Sequence, residues 1–586
     1  MKPKKNVFSY FVIILYLVGI LYVLVCGVAS LGEGREYPYI LKGAFFTLLL
    51  VIWLALNGAA AVLARTQLED WVHKKKQLFN ILEAAVVITV LCIAFYIRWT
   101  YIRRMPMKPE SDYKTFYEIA DLLKRGMLVE AGEGYCDYIA MFPHVFGYSY
   151  VLSRIFQLFG TSVFTAQGFN VFLAVGTVFL TYRTARLAGG VSAGLCALLL
   201  AAFWPSQILY MNMIASEYLF SFLMMLCVYL FIVSMKRCTA DMKHPVLGVL
   251  LHILLGVMLA LCAAIRPMAL IVLITIVLCV CFQRMHIPPR KPIDQPLSLV
   301  ILSKGWMRCA IIIICYLCVA SLCSAGIEYT IDRPLASGSA SFGYNLLVGL
   351  NAEAEGGWNQ EDADYLYTAM DRTGNATEAH LACRDLAIQR LKGDPRSMLN
   401  LFLHKYEVLW GNDDFGSTWN ILFMNQQGSL TKERQDFLYS SRDVGNLYYL
   451  IVMAFAGIGG VFLWKKGMGY EYVFTLIFLG TVAMHLLVEN QNRYHYHALF
   501  MVAILAGCAL QGIYVMNRSK VLRVREEKER LERMILEDKE RLRRKLEDEK
   551  EREALREEAM KCQFDMKSAL EKGLIKVSVT EAYDKE

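Results

Sequence analysis

Long apolar runs recur along this chain of 586 residues. Residues 7–29, for example, read "VFSYFVIILYLVGILYVLVCGVA" and contain no charge. A helix needs about 20 such residues to cross roughly 30 Å of hydrocarbon. With 56% hydrophobic residues and a mean hydropathy of +0.39, the chain is too apolar for a soluble protein. We therefore predict an all-α polytopic membrane protein with about twelve spans, at residues 7–29, 41–63, 79–99, 163–185, 190–207, 217–235, 246–264, 268–283, 307–326, 444–464, 470–488 and 496–516.

Basic residues concentrate in the loops between these runs, where they set the orientation of membrane helices. The formal net charge of +8 therefore does not indicate nucleic-acid binding. The first run lacks a cleavage site and is predicted to stay as an anchor. An even number of spans starting inside places both termini in the cytoplasm of a multi-pass cell-membrane protein. One predicted external loop, "YIRRMPMK", departs from the pattern because it is basic, as a phosphate-binding loop would be.

The spans and loops predict a chain organised in five parts. The loop at 100–162 is expected to be partly helical, since "DYKTFYEIADLLKRG" has apolar residues at helical spacing before a glycine. "FPHVFGYSYVLSRIFQLFG" is interpreted as a helix on the membrane surface, with a further span as the alternative. The parts are a two-span preface (1–77), a membrane core (78–326) with the external loop 100–162, an external segment (327–442), C-terminal spans (443–516) and a charged cytoplasmic tail (517–586).

The tail is rich in Glu, Lys and Arg at helical spacing, which predicts a long solvated helix with a capacity to bind a partner. Its apolar residues fit a heptad only loosely, so a single helix and a coiled coil both stay open. In the external regions, the sequence does not decide whether Cys136 and Cys383 pair. "NATE" provides a glycosylation sequon at Asn375 that has meaning only in a eukaryote.

Two carboxylates, Glu110 and Asp112, lie in "PESDYKTFY", directly after the third span. Alone, Asp112 is most simply a helix cap. Other ionisable residues, however, are predicted at span ends on the same side: Glu217, Arg266 and the stretch "ENQNRYHYH", which contains Arg493, Tyr494 and His495. Charged residues at such positions are costly to bury and often line a site.

The order of these motifs resembles the GT-C superfamily of polyprenyl-phosphate-dependent glycosyltransferases. The likeness rests on "PESDY" with the following Y-x-x-A-x-x-L-x-x-G spacing, "FPHVFGYSYVLSRIFQLFG", "SEYLF", "RP" at 266–267 and "RYHYHALF", and covers roughly residues 78–516. The branch with protein O-mannosyltransferases and lipid A aminoarabinose transferases is the most similar. The resemblance implies a GT-C-like bundle that transfers a sugar to an envelope glycan, lipid or protein.

The resemblance also assigns roles to residues. Asp112 matches the position of the catalytic base, and an inverting displacement needs cations on the departing phosphate, for which Arg266 and Arg493 are the candidates, with Arg103 and Arg104 assisting. The remaining substrate-binding candidates are Glu110, Tyr113, His144, Glu217, Tyr494 and His495. No cofactor is expected. A divalent metal held by Glu110, Asp112, Glu217 and Glu489 is the less favoured alternative.

Two other classes of function are compatible with a membrane bundle. A transporter or flippase for lipid-linked sugars would carry ionisable residues near the middle of its spans, whereas here they lie near span ends. A membrane scaffold would use the cytoplasmic helix to bind a partner. The expected partners of the enzyme are the polyprenyl-phosphate-linked sugar, the lipid bilayer and an acceptor that the sequence does not identify.

Overall fold

The computed structural model describes residues 7–34, 37–66, 72, 74–240, 245–282, 297–338, 340–467, 470 and 472–574. Within these ranges the chain is helical and forms no strand, which confirms the all-α polytopic class. Every backbone polar group in a bilayer must be paired internally, and helices achieve this within one segment. Numbered in chain order, the helices are α1 (Val7–Ser30), α2 (Pro38–Arg65), α3 (Lys76–Arg104), α4 (Ser111–Arg125), α5 (Leu128–Ala131), α6 (Glu133–Met141), α7 (His144–Phe159), α8 (Val163–Gly189), α9 (Val191–Ala202), α10 (Pro205–Leu209), α11 (Glu217–Ala240), α12 (Pro245–Ile265), α13 (Ala269–Phe282), α14 (Leu297–Ser303), α15 (Gly305–Ile331), α16 (Gly343–Gly349), α17 (Gln360–Thr373), α18 (Ala376–Leu391), α19 (Pro395–Trp410), α20 (Phe415–Gln426), α21 (Lys432–Lys466), α22 (Tyr472–Leu487) and α23 (Leu499–Glu571).

The twelve predicted spans all have helical counterparts. In the described part of the chain, nine helices are long and apolar enough to cross a membrane: α1, α2, α3, α8, α11, α12, α15, α21 and α23. The predicted span 190–207 is a bent pair, α9 and α10, with an angle of 44° at the break before Pro205. Proline lacks the N–H that would continue the helix, so the break falls there. The last two are the shorter apolar helices α13 and α22.

The segment between α3 and α8 is helical, as predicted. Helix α4 buries Tyr113, Phe116, Ile119 and Ala120 on one face and ends at Gly126, whose φ of +71° suits a residue without a Cβ. Helix α7, the predicted surface helix, packs against α4 and α12 and is not one of the candidate spans.

Helices α16–α18 pack on one another, and α16 and α18 also contact α22 and α6, respectively. We call the end of the bundle where these helices and the segment between α3 and α8 lie the loop end. Asp362 is almost fully buried among these helices and accepts hydrogen bonds from both terminal nitrogens of Arg390, at 2.7 and 3.0 Å. The sequon residue Asn375 caps α18 by accepting from the N–H groups of residues 377 and 378. Cys136 and Cys383 are both buried free thiols and do not pair with each other.

The last span and the charged tail are one continuous helix, α23, of 73 residues. Its first part is buried against α9 and α21, where small residues allow close backbone contact: Gly507 faces Ala193, and Gly459 of α21 faces Leu505. Beyond residue 520 the helix is almost entirely exposed. A rod therefore projects from the bundle without a turn at the predicted boundary 516/517.

Candidate active site at the loop end of the bundle

A cavity of about 610 Å³ opens at the loop end, which we call the central cavity. It is bordered by the start of α4, the start of α7, the breaks before α11 and after α12, and the turn that precedes α23. Residues of helices α16, α17 and α20 complete its lining. Its polar lining residues include Ser111, Asp112, Thr115, His144, Ser216, Glu217, Arg266, Asn345, Gln360, His485, Glu489, Gln491, Arg493, Tyr494 and His497.

Asp112 lies in the first turn of α4 and faces the central cavity with 49% of its side chain exposed. Its Oδ2 atom lies 2.8 Å from Nη2 of Arg493, which is only 5% exposed. The preceding residue, Ser111, has a φ of +50°, a left-handed conformation that costs a non-glycine residue about 1–3 kcal/mol. Asp112 therefore does not cap its helix; the carboxylate is directed at a buried guanidinium instead.

Arg493 is held by more than this ion pair. Its Nη1 atom donates to the Tyr113 hydroxyl at 2.6 Å, and the guanidinium lies 5.0–5.5 Å from the ring centres of Tyr113, Trp419 and Tyr494. Aromatic faces stabilise a cation electrostatically. Among the described residues, the buried Nε atom of Arg493 finds no hydrogen-bond partner. One donor of this cation is therefore still to be satisfied.

A chain of hydrogen bonds connects Arg493 to a second ion pair. The hydroxyls of Tyr113 and Tyr210 are 2.7 Å apart, and Tyr210 donates to Glu217 at 3.5 Å. Burial raises the pKa of Tyr113 to about 12, so its hydroxyl keeps its proton. The Tyr113 hydroxyl can therefore accept from Arg493 and donate to Tyr210. Glu217, only 3% exposed, pairs with Nη1 of Arg266 at 3.1 Å. The two arginines are thus fixed relative to each other through buried groups.

Three further side chains face the cavity near these pairs. Burial, with a smaller effect from the nearby Arg266, lowers the pKa of His144 to about 4, so its ring is neutral at physiological pH. Glu489 accepts a hydrogen bond from Gln491 at 2.7 Å, and burial raises the pKa of its carboxyl group. Tyr494 lies under Arg266, with 5.8 Å between the guanidinium and the ring centre.

The structure places several predicted site residues elsewhere. His495 is fully buried, its Nε2 atom lies 3.0 Å from Asp413, and it does not line the central cavity. Asp413 also accepts from Trp204 and Ser206, each at 2.6 Å. His495 thus anchors the turn before α23 to the break between α9 and α10.

Arg103 and Glu110 line a second, more open cavity of about 1090 Å³, on the other side of residues 105–110. The carboxylate of Glu110 accepts from Gln427 at 3.3 Å. Arg104 is exposed and lines neither cavity. The basic loop that departed from the charge pattern therefore borders the second cavity, and Asp112 and Glu110 face different spaces.

The carboxylates that the sequence suggested as metal ligands are separated or already paired. In the part of the chain that the structure describes, no three His, Cys, Asp or Glu side chains converge as a metal-binding group. Asp112 and Glu217 each face an arginine, and Glu110 lies outside the central cavity. Glu489, the fourth of these carboxylates, lines the central cavity and accepts from Gln491.

Several residues in or near the central cavity were not predicted from the sequence. Tyr210 precedes the "SEYLF" motif and links the two ion pairs, but an isolated tyrosine in an apolar stretch gives no signal. The sequence also gave no signal for four aromatic residues from 327–442 that line the cavity, Tyr344, Trp358, Tyr367 and Trp419. Lys405 was missed as well: its Nζ atom donates to the carbonyls of residues 349, 486 and 488 at 2.6–2.9 Å and so ties α19 to the ends of α16 and α22.

No protein-family model matches the chain, and no curated protein matches it in sequence. Similar solved structures include the apo oligosaccharyltransferase of Archaeoglobus fulgidus, with a TM-score of 0.40 and 13% identity over 72% of this chain and 50% of that one. AglB from the same organism, in complex with an inhibitory peptide and a dolichol-phosphate, gives 0.38 and 12% over 75% and 50%. ArnT from Cupriavidus metallidurans, bound to undecaprenyl phosphate, gives 0.30 and 12% over 75% and 77%.

The two archaeal structures are described as oligosaccharyltransferases. The chain spans about half the length of the archaeal enzymes that it matches. With TM-scores of 0.40 or less, the likeness is too remote to bear on function. Function is therefore inferred from the central cavity itself.

Proposed function

We propose that this protein is an integral-membrane glycosyltransferase that moves a sugar from a polyprenyl-phosphate-linked donor to a cell-envelope glycan, lipid or protein on the extracytoplasmic face. The observation that carries the proposal is the central cavity, in which one half-exposed carboxylate, Asp112, lies beside the buried Arg493. A second guanidinium, Arg266, faces the same cavity. A base next to fixed cations is what sugar transfer from a phosphate requires.

The chemistry follows from these groups. The acceptor hydroxyl attacks the anomeric carbon, and its proton passes to Asp112. The bond between the anomeric carbon and the phosphate oxygen breaks, and its electron pair leaves with the lipid phosphate. Arg493 and Arg266 stabilise that negative charge, since guanidinium groups match phosphate oxygens with paired N–H donors. Attack opposite to the leaving phosphate inverts the configuration of the anomeric carbon.

The position of the cavity suits a donor that is part lipid. Arg266 follows directly on the C-terminal end of α12, and Arg493 lies just before the last span, so both guanidiniums lie at the ends of apolar helices. A polyprenol can therefore stay among the spans while its phosphate reaches the arginines. The unpartnered Nε of Arg493 supplies a donor for that phosphate.

The test uses purified protein in liposomes, given polyprenyl-phosphate sugars and a panel of envelope acceptors. The enzyme releases free polyprenyl phosphate in proportion to glycosylated acceptor. A flippase would move the lipid-linked sugar between leaflets with the phosphate bond intact, and a scaffold would do neither. We propose that transfer is independent of metal, so a chelator leaves the rate unchanged; a loss restored by a divalent cation would contradict this part.

A further inference from the structure

The exposed tail contains an internal repeat of eleven residues. Residues 524–534 read "VREEKERLERM", 535–545 read "ILEDKERLRRK" and 546–556 read "LEDEKEREALR". Each unit begins with an apolar residue, and its third to seventh positions are two acids, Lys, Glu and Arg. Eleven residues make about three turns of α-helix, so each position of the unit keeps its place on the helix surface. A heptad fits poorly because the period is eleven.

The repeat produces a narrow apolar stripe on α23. The first positions of all three units and the eighth positions of the first two carry apolar residues along one line of the helix, and the eighth position of the third unit is Glu553. The described residues of the rest of the chain leave this line uncovered. Its members are 48–65% exposed, namely Val524, Leu531, Ile535, Leu542 and Leu546. The stripe is too narrow for a helix lying in a membrane surface, which needs a broad apolar face. It has the width of a seam between two helices.

Charges of opposite sign flank the stripe. Residues three and four positions after a helical residue lie on either side of it. The fourth positions of the units are acidic (Glu527, Asp538 and Glu549), and the fifth positions are all lysine (Lys528, Lys539 and Lys550). One flank of the stripe is therefore acidic and the other is basic along all three units.

We propose that the tails of two copies of this protein pair in parallel and in register along this stripe. In a parallel pair with two-fold symmetry, the acidic flank of each helix meets the basic flank of its partner. In an antiparallel pair, like flanks would meet and lysines would face lysines. The charge pattern therefore favours a second copy of the same helix as the partner, in the parallel orientation. The period of eleven predicts a weak right-handed supercoil.

The membrane favours the same arrangement. α23 continues from its apolar part into the repeat without a break, so the rod leaves the bundle along the line of the span. In two copies inserted in the same direction, the exposed parts of α23 lie on the same side of the bilayer, and their repeats begin at the same distance from it. The three units span roughly 50 Å at 1.5 Å per residue, enough for several layers of contact.

Charge reversal in the full-length protein tests the pairing. The lysine triple (Lys528→Glu, Lys539→Glu, Lys550→Glu) and the acidic triple (Glu527→Lys, Asp538→Lys, Glu549→Lys) should each weaken self-association by roughly 10- to 100-fold. Mixed together, the two variants should pair again, because acidic flanks now meet basic ones. The matched control changes the sixth positions, which face away from the stripe (Glu529→Lys, Glu540→Lys, Glu551→Lys), and should pair like the parent.

The mass of the particles in nanodiscs or detergent, with differently tagged copies for the mixtures, is the readout. A monomeric parent protein, or triples that pair as well as the parent, would overturn the proposal. So would a mixture of the two triples that stays monomeric.

Cross-linking tests the direction. In a Cys562→Ser background, Ile535→Cys should form a disulfide with the same position of a second molecule. Glu540→Cys, which faces away from the stripe, should not. Val524→Cys mixed with Leu546→Cys would cross-link readily only in an antiparallel pair, so fast formation of that product would refute the parallel arrangement. Sugar transfer is measured on the same variants; pairing and transfer are separate readouts, so failure of either leaves the other standing.

Discussion

Replacement of Asp112 by asparagine removes the proposed base and changes little else. A positioned general base contributes about 10²–10⁴-fold to a rate, which corresponds to roughly 3–5 kcal/mol in the activation free energy. We therefore expect Asp112→Asn to lower the rate of transfer by two to four orders of magnitude. Donor binding should change far less, because Arg493 keeps its hydrogen bond to Tyr113.

The fold should tolerate this change. The Asp112 side chain is 49% exposed, and asparagine keeps a side-chain oxygen that can accept from Arg493. Arg493 also keeps its hydrogen bond to Tyr113 and its aromatic contacts, so the buried guanidinium is not left without partners. Loss of activity by unfolding is thus separable from loss of the base. Asp137 provides a matched control, since it is 44% exposed, pairs with Arg333 at 3.2 Å and lies outside the central cavity.

The assay follows release of polyprenyl phosphate by Asp112→Asn, Asp137→Asn and the parent, in liposomes of equal protein content. Asp137→Asn should stay within a few-fold of the parent. If Asp112→Asn also did so with an unchanged unfolding temperature, Asp112 would not be the base. If both variants lost activity together, the effect would be electrostatic or structural in general rather than specific to the cavity.

Further expectations concern the cations, the neutral histidine and the tail. Arg493→Lys keeps the charge but loses the paired N–H groups of the guanidinium, so the free energy of lipid-phosphate binding should weaken by about 1.5–3 kcal/mol. A binding measurement that shows unchanged affinity would exclude a phosphate contact. Glu217→Ala leaves Arg266, which is 18% exposed, without its carboxylate and should lower the free energy of unfolding by about 1–3 kcal/mol. The folded-state pKa of His144, about 4, lies below its unfolded value near 6.5, so the unfolded chain binds the proton first and stability falls as the pH drops from 6.5 to 4. His144→Gln should flatten that fall in thermal unfolding, and an identical pH profile would disprove the assignment. Deletion of residues 524–586 should abolish pairing yet leave transfer within a few-fold; complete loss of transfer would make the tail part of the catalytic unit.

Glu110 and Asp112 illustrate how far local sequence reaches. Both precede or begin the same amphipathic helix, and nothing in "PESDY" distinguishes their surroundings. The structure turns Asp112 into the central cavity and Glu110 into the second one, because Ser111 between them takes a left-handed backbone conformation. Side chains two residues apart then face different spaces.

The turn before α23 shows the same limit. "RYHYH" offered two adjacent polar candidates, Tyr494 and His495, and only packing decides which of them is used. His495 pairs with Asp413, which lies between α19 and α20, and does not line the cavity. Arg493 and Tyr494 remain on the cavity side.

The sequence by itself determined the class of the protein, the twelve apolar helices, the helix after "PESD" and the long charged helix of the tail. These features depend on residues close in the chain, since a helix is set by its own spacing of apolar and charged side chains. Tertiary structure alone decided that Arg493 meets Asp112, 381 residues away, and that Tyr113 and Tyr210 connect them to Glu217 and Arg266. Such contacts depend on how whole helices pack, which no local pattern specifies.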